Sequence, residues 1–178
     1  MTQRNRTGWV ALACAVGLAA CGGGQTDPSP SPGGRLTVVG GGNNVPDRYT
    51  SDLWVHGSHA YTGTWGGAKG RLGNVVSIWR LDASGAPAAA GELEIPGITT
   101  VSDVEVSADG GLLLFSAEGG TQEGLFLYDL TDPEAPAALD HEVVAAGIHT
   151  ATLAEIGGRR YAFAARNPPG PALLIYDV

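Results

Sequence analysis

Residues Leu125-Phe-Leu-Tyr-Asp-Leu-Thr-Asp-Pro-Glu-Ala-Pro136 decide the fold, because they join a short apolar run to an Asp-Pro turn. The run has the length and the aromatic and aliphatic content of a buried β-strand. In the turn, Asp132 can accept hydrogen bonds from backbone amides and Pro133 holds φ at about −65°. The stretch predicts a strand that ends in a rigid structural turn.

This unit recurs about every 48 residues. Trp79, Tyr128 and Tyr176 lie near the ends of corresponding apolar runs and are 49 and 48 residues apart. Shorter strand-like segments, bounded by Gly, Asp, Asn and Pro, precede each run. Repeats of this length are typical of propellers and solenoids.

Four strands joined by consecutive hairpins would make each unit a blade of a β-propeller. Asp109-Gly110 and Gly157-Gly158 occupy positions where two-residue hairpin loops require positive φ. Fourth strands are expected at residues 91–95 and 141–145. We therefore predict an all-β fold with about three four-stranded propeller blades.

The third unit reaches Val178 without a fourth strand. Residues 35–39 could supply one as a borrowed strand, but three blades are fewer than the usual 4–8. We therefore expect residues 35–178 to be part of a larger propeller. A truncated reading frame and assembly with further copies of the chain are the alternatives.

The N-terminus has the features of an export signal. Arg4 and Arg6 precede ten apolar residues, which are too few to cross a bilayer that requires a helix of about 20. The next stretch, Leu18-Ala-Ala-Cys21, resembles the lipobox of bacterial lipoproteins. That resemblance implies a signal peptide over residues 1–20, cleavage before Cys21 and lipid attachment to its thiol. An ordinary thiol or an uncleaved anchor is the alternative.

Residues 21–34 are mostly Gly, Pro and Ser, which predicts a flexible tether. Loss of Arg4 and Arg6 with the signal takes the formal net charge from −8 to −10. This charge argues against a nucleic-acid partner and weakly favours cationic or neutral ligands. Cys21 would be the one remaining cysteine, so a disulfide or a cysteine zinc site is not expected.

The repeat units resemble those of the LVIVD-repeat family, which comprises bacterial envelope proteins predicted to be β-propellers. Residues 125–136 and 173–178 carry the resemblance, since an apolar strand ends in Tyr-Asp-Leu or Tyr-Asp-Val and the first copy continues into Thr-Asp-Pro. Residues 79–87 lack the Asp-Pro step. The family has no generally accepted activity, so the resemblance implies fold and location.

Asp52, Asp103 and His149 recur near the starts of the predicted innermost strands, where they would surround one mouth of a propeller channel. Two carboxylates and an imidazole could bind Ca²⁺ or another metal there and activate water. Side chains at strand starts also cap turn amides, which is the structural alternative.

A second candidate set consists of Trp65, Glu118 and Arg166, each at the end of a second strand. Their types differ between units, which favours a surface adapted to a partner, although Glu118 and Arg166 could form an exposed ion pair instead. His56-Gly-Ser-His59 has spacing compatible with a metal site. Its position at a hairpin tip favours a surface turn.

These features predict a lipid-anchored cell-envelope propeller, at the outer membrane or cell surface, that binds a protein or small molecule. No catalytic motif is recognisable, since Gly-x-Ser-x-Gly and phosphate-binding loops are missing from the sequence. The alternative is a metal-dependent, lactonase-like or other hydrolase with its site at the channel mouth.

Overall fold

The computed structural model describes residues 36–41, 47–66, 70–170 and 172–178. The predicted signal peptide, Cys21 and the tether lie outside the described residues. The chain divides into two units, Met1–Leu36 and Thr37–Val178, and the following concerns the second.

Eleven strands and no helices make up the regular secondary structure of the described residues, which confirms the all-β prediction. The strands are β1 (Tyr49–His56), β2 (His59–Trp65), β3 (Val75–Leu81), β4 (Pro87–Glu94), β5 (Ile98–Val106), β6 (Leu112–Gly120), β7 (Gly124–Asp129), β8 (Ala137–Val143), β9 (Ile148–Ile156), β10 (Arg159–Arg166) and β11 (Ala172–Asp177). Within these ranges no helix is long and apolar enough to cross a bilayer.

The strands form three antiparallel sheets in which chain neighbours pair: sheet A contains β1–β4, sheet B contains β5–β8 and sheet C contains β9–β11. The predicted hairpins are present, with φ of 76° at Gly110, 62° at Gly157 and 78° at Gly158. Residues 36–39, the described part of the predicted borrowed strand, are not in a strand.

The fourth strands begin earlier than predicted, at Pro87 and Ala137 rather than at residues 91 and 141. The turn before β4 explains the difference. Asp82 Oδ1 accepts hydrogen bonds from the backbone amides of Ser84 (2.8 Å) and Ala86 (3.0 Å). This tight turn lets Leu81 pair with Pro87 at once.

The sheets pack face to face, with β5 against β1 and β2 and with β9 against β5 and β6. One core lies between sheets A and B and includes Tyr61, Ile78 and Phe115. A second core lies between sheets B and C and includes Leu114, Leu125 and Ala162. Sheet B is therefore covered on both faces because neighbouring residues point in opposite directions.

Sheets A and C each have one face turned away from sheet B. On the sheet A outer face (Leu53, Val55, Thr62, Trp79), Leu53 and Val55 are half exposed. On the sheet C outer face (Tyr161, Phe163, Leu173, Ile175), Leu173 is 67% and Ile175 is 57% exposed.

Candidate functional site

Strand pairing gathers most of the predicted site residues along one edge of the three sheets. The start of each inner strand pairs with the end of the second strand: Tyr49 with Trp65, Ile98 with Gly120, and Ile148 with Arg166. We call this the opening edge, defined by the N-terminal ends of β1, β5 and β9 and the C-terminal ends of β2, β6 and β10.

A polar cluster centred on Glu118 occupies the opening edge and links sheets B and C. Glu118 Oε2 accepts a hydrogen bond from Ser102 Oγ at 2.5 Å and lies 3.1 Å from His149 Nδ1. Glu118 Oε1 accepts a hydrogen bond from Asn167 Nδ2. We call these four residues the Glu118 cluster.

The Glu118 cluster presents an oriented imidazole to solvent. The side chain of His149 is 64% exposed, whereas that of Glu118 is 26% exposed. Because Nδ1 faces the carboxylate, Nε2 is the nitrogen available to a ligand. A carboxylate that orients an imidazole supports ligand binding or proton transfer. Among the described residues, however, no nucleophilic side chain forms a hydrogen bond with His149 Nε2.

An exposed aromatic pair lies at the same edge on sheet A. The rings of Tyr49 and Trp65 are 5.3 Å apart between centroids and tilted by 40°. Both side chains are about half exposed. Such a pair offers an apolar surface and ring faces that attract cations.

Asp52 and Asp103 lie deeper along the inner strands and connect neighbouring sheets. Asp52 Oδ2 accepts a hydrogen bond from Val104 N at 3.0 Å, and Asp103 Oδ2 accepts one from Ala151 N at 2.8 Å. These amides belong to inner strands that are not paired with each other, so the carboxylates satisfy them. Such bonds fix the alignment of one sheet on the next.

The carboxyl of Asp103 has an unusual acidity. Burial, a hydrogen bond with the Asp52 side chain and repulsion from Asp52 and Glu105 raise the pKa of Asp103 to about 7. The hydrogen bond from Ala151 opposes this shift. The Asp103 carboxyl therefore holds a proton up to about neutral pH, because burial and a neighbouring carboxylate disfavour its charged form.

The structure thus distributes the predicted residues differently from the two sets in the sequence. Asp52 lies beside Asp103, but His149 joins Glu118 from the second set. Strand pairing makes Thr150, next to His149, the counterpart of Asp103, because each is the first paired residue after the bulge in its strand.

The other members of the second set lie apart from Glu118. Trp65 packs against Tyr49 with tilted rings, and Arg166 Nε donates to the carbonyl of Gly170 at 2.5 Å. The predicted alternative of a Glu118–Arg166 ion pair is not among the ion pairs of the described residues.

Sequence reasoning missed Ser102, Asn167 and Tyr49. Ser102 precedes Asp103, so strand alternation alone would have placed its side chain on the other face. Asn167 lies in the loop after β10, where no periodicity indicates which sheet it reaches.

The described residues contain no group of three or more His, Cys, Asp or Glu placed to hold a metal ion. His56 and His59 pair across the β1–β2 hairpin. Nε2 of His59 lies 3.0 Å from Glu134 Oε1, so this ring is engaged by a carboxylate of sheet B.

The Asp-Pro turn has the structural role expected from the sequence. Asp132 Oδ1 accepts a hydrogen bond from Glu134 N at 3.0 Å. The turn also contacts sheet A, since Tyr61 donates its hydroxyl to Pro133 O at 3.0 Å and Arg80 binds both oxygens of Glu134 at 2.7 and 2.6 Å. It therefore joins two sheets.

Neither a family model nor a curated protein matches this chain.

Proposed function

We propose that this protein is a lipid-anchored envelope protein whose sheets are propeller blades and whose opening edge binds a ligand. Three features of the sheets support the blades: consecutive hairpins, face-to-face packing and inner strands that run side by side in the same direction. The motif at residues 125–136 supports a relationship to LVIVD-repeat proteins. Its turn joins adjacent sheets, which is a role that would recur in every blade.

The anchor rests on the lipobox-like Leu18-Ala-Ala-Cys21. Two or more acyl chains hold a protein firmly on a membrane, whereas one chain binds marginally. Expression in a bacterial host with labelled palmitate should label the unaltered chain and leave Cys21→Ala unlabelled and outside the membrane fraction. Cys14→Ala is the matched control and should be labelled normally. Equal labelling of the Cys21→Ala protein would contradict the anchor.

The Glu118 cluster is the observation that carries the binding function. Its carboxylate spans two sheets, and the exposed imidazole of His149 adds a directional hydrogen-bonding group. The Tyr49–Trp65 pair adds an exposed aromatic surface at the same edge. With a formal charge of −8, the chain favours neutral ligands that carry hydroxyl donors, or ligands with a positive charge.

Photo-crosslinking from the opening edge tests this function in the native envelope. A benzophenone side chain at Thr150, beside His149, should form a discrete adduct that disappears in the Glu118→Gln background. The matched control is Ala138 on β8, which is exposed but lies in the outer strand of sheet B. Adducts that form equally from both positions, or that form with the same yield in Glu118→Gln, would contradict the proposal.

The hydrolase alternative has no comparable support. Asp52 and Asp103 accept hydrogen bonds from backbone amides, and His149 interacts with Glu118. A metal ion would have to displace contacts that connect the sheets. We therefore propose binding and not hydrolysis.

A further inference from the structure

The two internal sheet junctions are both apolar, and each buries bulky residues of the earlier sheet. At the junction of sheets B and C, sheet B contributes the large residues Leu114 and Leu125, and sheet C contributes the small residues Ala162 and Ala164. At the junction of sheets A and B, sheet A contributes Tyr61 and Ile78. Each sheet thus presents bulky residues to the sheet that follows.

The same pattern continues onto the sheet C outer face. Tyr61, Leu114 and Tyr161 lie on corresponding faces of β2, β6 and β10, because the adjacent residues Phe115 and Ala162 are buried against the preceding sheet. Tyr61 and Leu114 are each 1% exposed beneath the next sheet. Tyr161 and its neighbours on the sheet C outer face have no described sheet above them.

The sheet A outer face has the complementary shape. It contains a cleft of about 330 Å³ lined by Leu53, Val55, Thr62 and Trp79, among others. On the corresponding faces of sheets B and C, Phe115 and Ala162 are buried against the preceding sheet. The cleft therefore lies where the bulky residues of a preceding sheet would pack.

We infer that two copies of this chain associate head to tail, with the sheet C outer face of each copy packed on the sheet A outer face of the other. The contact continues the A–B and B–C junctions, because it joins a face with exposed bulky apolar residues to a face with an apolar cleft. Each contact joins two different surfaces, and a twofold axis relates the two contacts of the dimer. Two copies then give six sheets, which is within the usual range of a closed propeller.

This inference rests on the sheet junctions and not on the anchor or the ligand, so its test is independent of both. The protein, purified in mild detergent, should show by light scattering twice the mass of one copy after subtraction of detergent, whether or not residues 1–20 have been removed. Val55→Asp and Ile175→Asp each place a charge on one of the two faces, and each should weaken dimerisation about a hundredfold. Ala138→Asp, on the exposed outer strand β8 of sheet B, is the matched control and should remain dimeric.

Mixing the two variants gives the decisive result. Each variant alone forms no intact contact, but the mixture can join one unaltered sheet C face to one unaltered sheet A face. It should therefore form a heterodimer that neither variant forms as a homodimer. Circular dichroism and thermal melting of each variant establish that both remain folded. A monomeric parent chain, open filaments, or a mixture that stays monomeric would overturn the inference.

Discussion

Strands β7 and β11 have nearly the same sequence but opposite surroundings. Gly124-Leu-Phe-Leu-Tyr-Asp129 forms β7, and Ala172-Leu-Leu-Ile-Tyr-Asp177 forms β11. Leu125 is 6% exposed, whereas its counterpart Leu173 is 67% exposed. Strand β7 pairs on both sides, whereas β11 pairs with β10 alone among the described strands.

The difference separates what local sequence determines from what neighbours determine. Both segments form strands of six residues with the same alternation. Burial depends on the sheet that lies on each face, because apolar area contributes to stability only when it leaves water. The same motif can therefore act as core in sheet B and as an association surface in sheet C.

The prediction with the largest expected effect compares Leu125→Ala with Leu173→Ala. Leu125 lies in the core between sheets B and C, so its truncation should reduce the free energy of unfolding by about 2–5 kcal/mol. Leu173→Ala should change it by less than about 0.5 kcal/mol in the monomer. Urea denaturation followed by circular dichroism measures both.

The effect of Leu173→Ala depends on whether the protein in which it is made can dimerise. In Val55→Asp, where the sheet A face is blocked, Leu173→Ala should be almost silent. In the parent chain the same change should also weaken the dimer. Equal losses of stability for Leu125→Ala and Leu173→Ala in the blocked background would mean that β11 is as buried as β7.

The sequence predicted the strand content and the repeat because both arise from local alternation and turn residues. Gly110 and the Asp132-Pro133 turn are examples, since their conformations depend on few neighbours. The start of β4 was misplaced because the side chain of Asp82 tightens the preceding turn.

The candidate site was predicted less completely. Glu118 and His149 lie 31 residues apart and come together only because sheet C packs on sheet B. The predicted equivalence of His149 with Asp103 followed sequence spacing, whereas the pairing register gives the adjacent residue Thr150. Contacts between repeats depend on packing geometry, which periodicity does not specify.

A second test measures how the Asp103 carboxyl, at the B–C junction, affects stability at pH 4 and at pH 8. Since the folded-state pKa of Asp103 is about 7 and the usual value is 3.8, folding takes up a proton between these values. The contribution of this carboxyl to stability therefore falls as pH rises from about 4 to 7 and is constant above. Asp103→Asn keeps an oxygen for Ala151 N and removes the charge.

Asp103→Asn should have the melting temperature of the parent at pH 4 and a higher one at pH 8. The gain should be no more than about 1–2 kcal/mol, because the carboxyl is half-buried and solvent screens it. Thermal melts across pH 4–8 provide the measurement. A loss of stability that is the same at both ends of this range would show that the hydrogen bond to Ala151 N outweighs the repulsion from Asp52.

The prediction with the smallest expected effect compares Tyr61, which sheet B covers, with Tyr161, which no described sheet covers. Tyr61 donates its hydroxyl to Pro133 O, and burial together with Glu134 and Asp132 raises its pKa to about 12. Tyr61→Phe leaves that carbonyl without its partner and should cost about 1 kcal/mol. Tyr161→Phe, on the sheet C outer face, should be neutral in the monomer. If urea denaturation gave the same loss for both, the Asp-Pro turn would not stabilise the A–B junction through this bond.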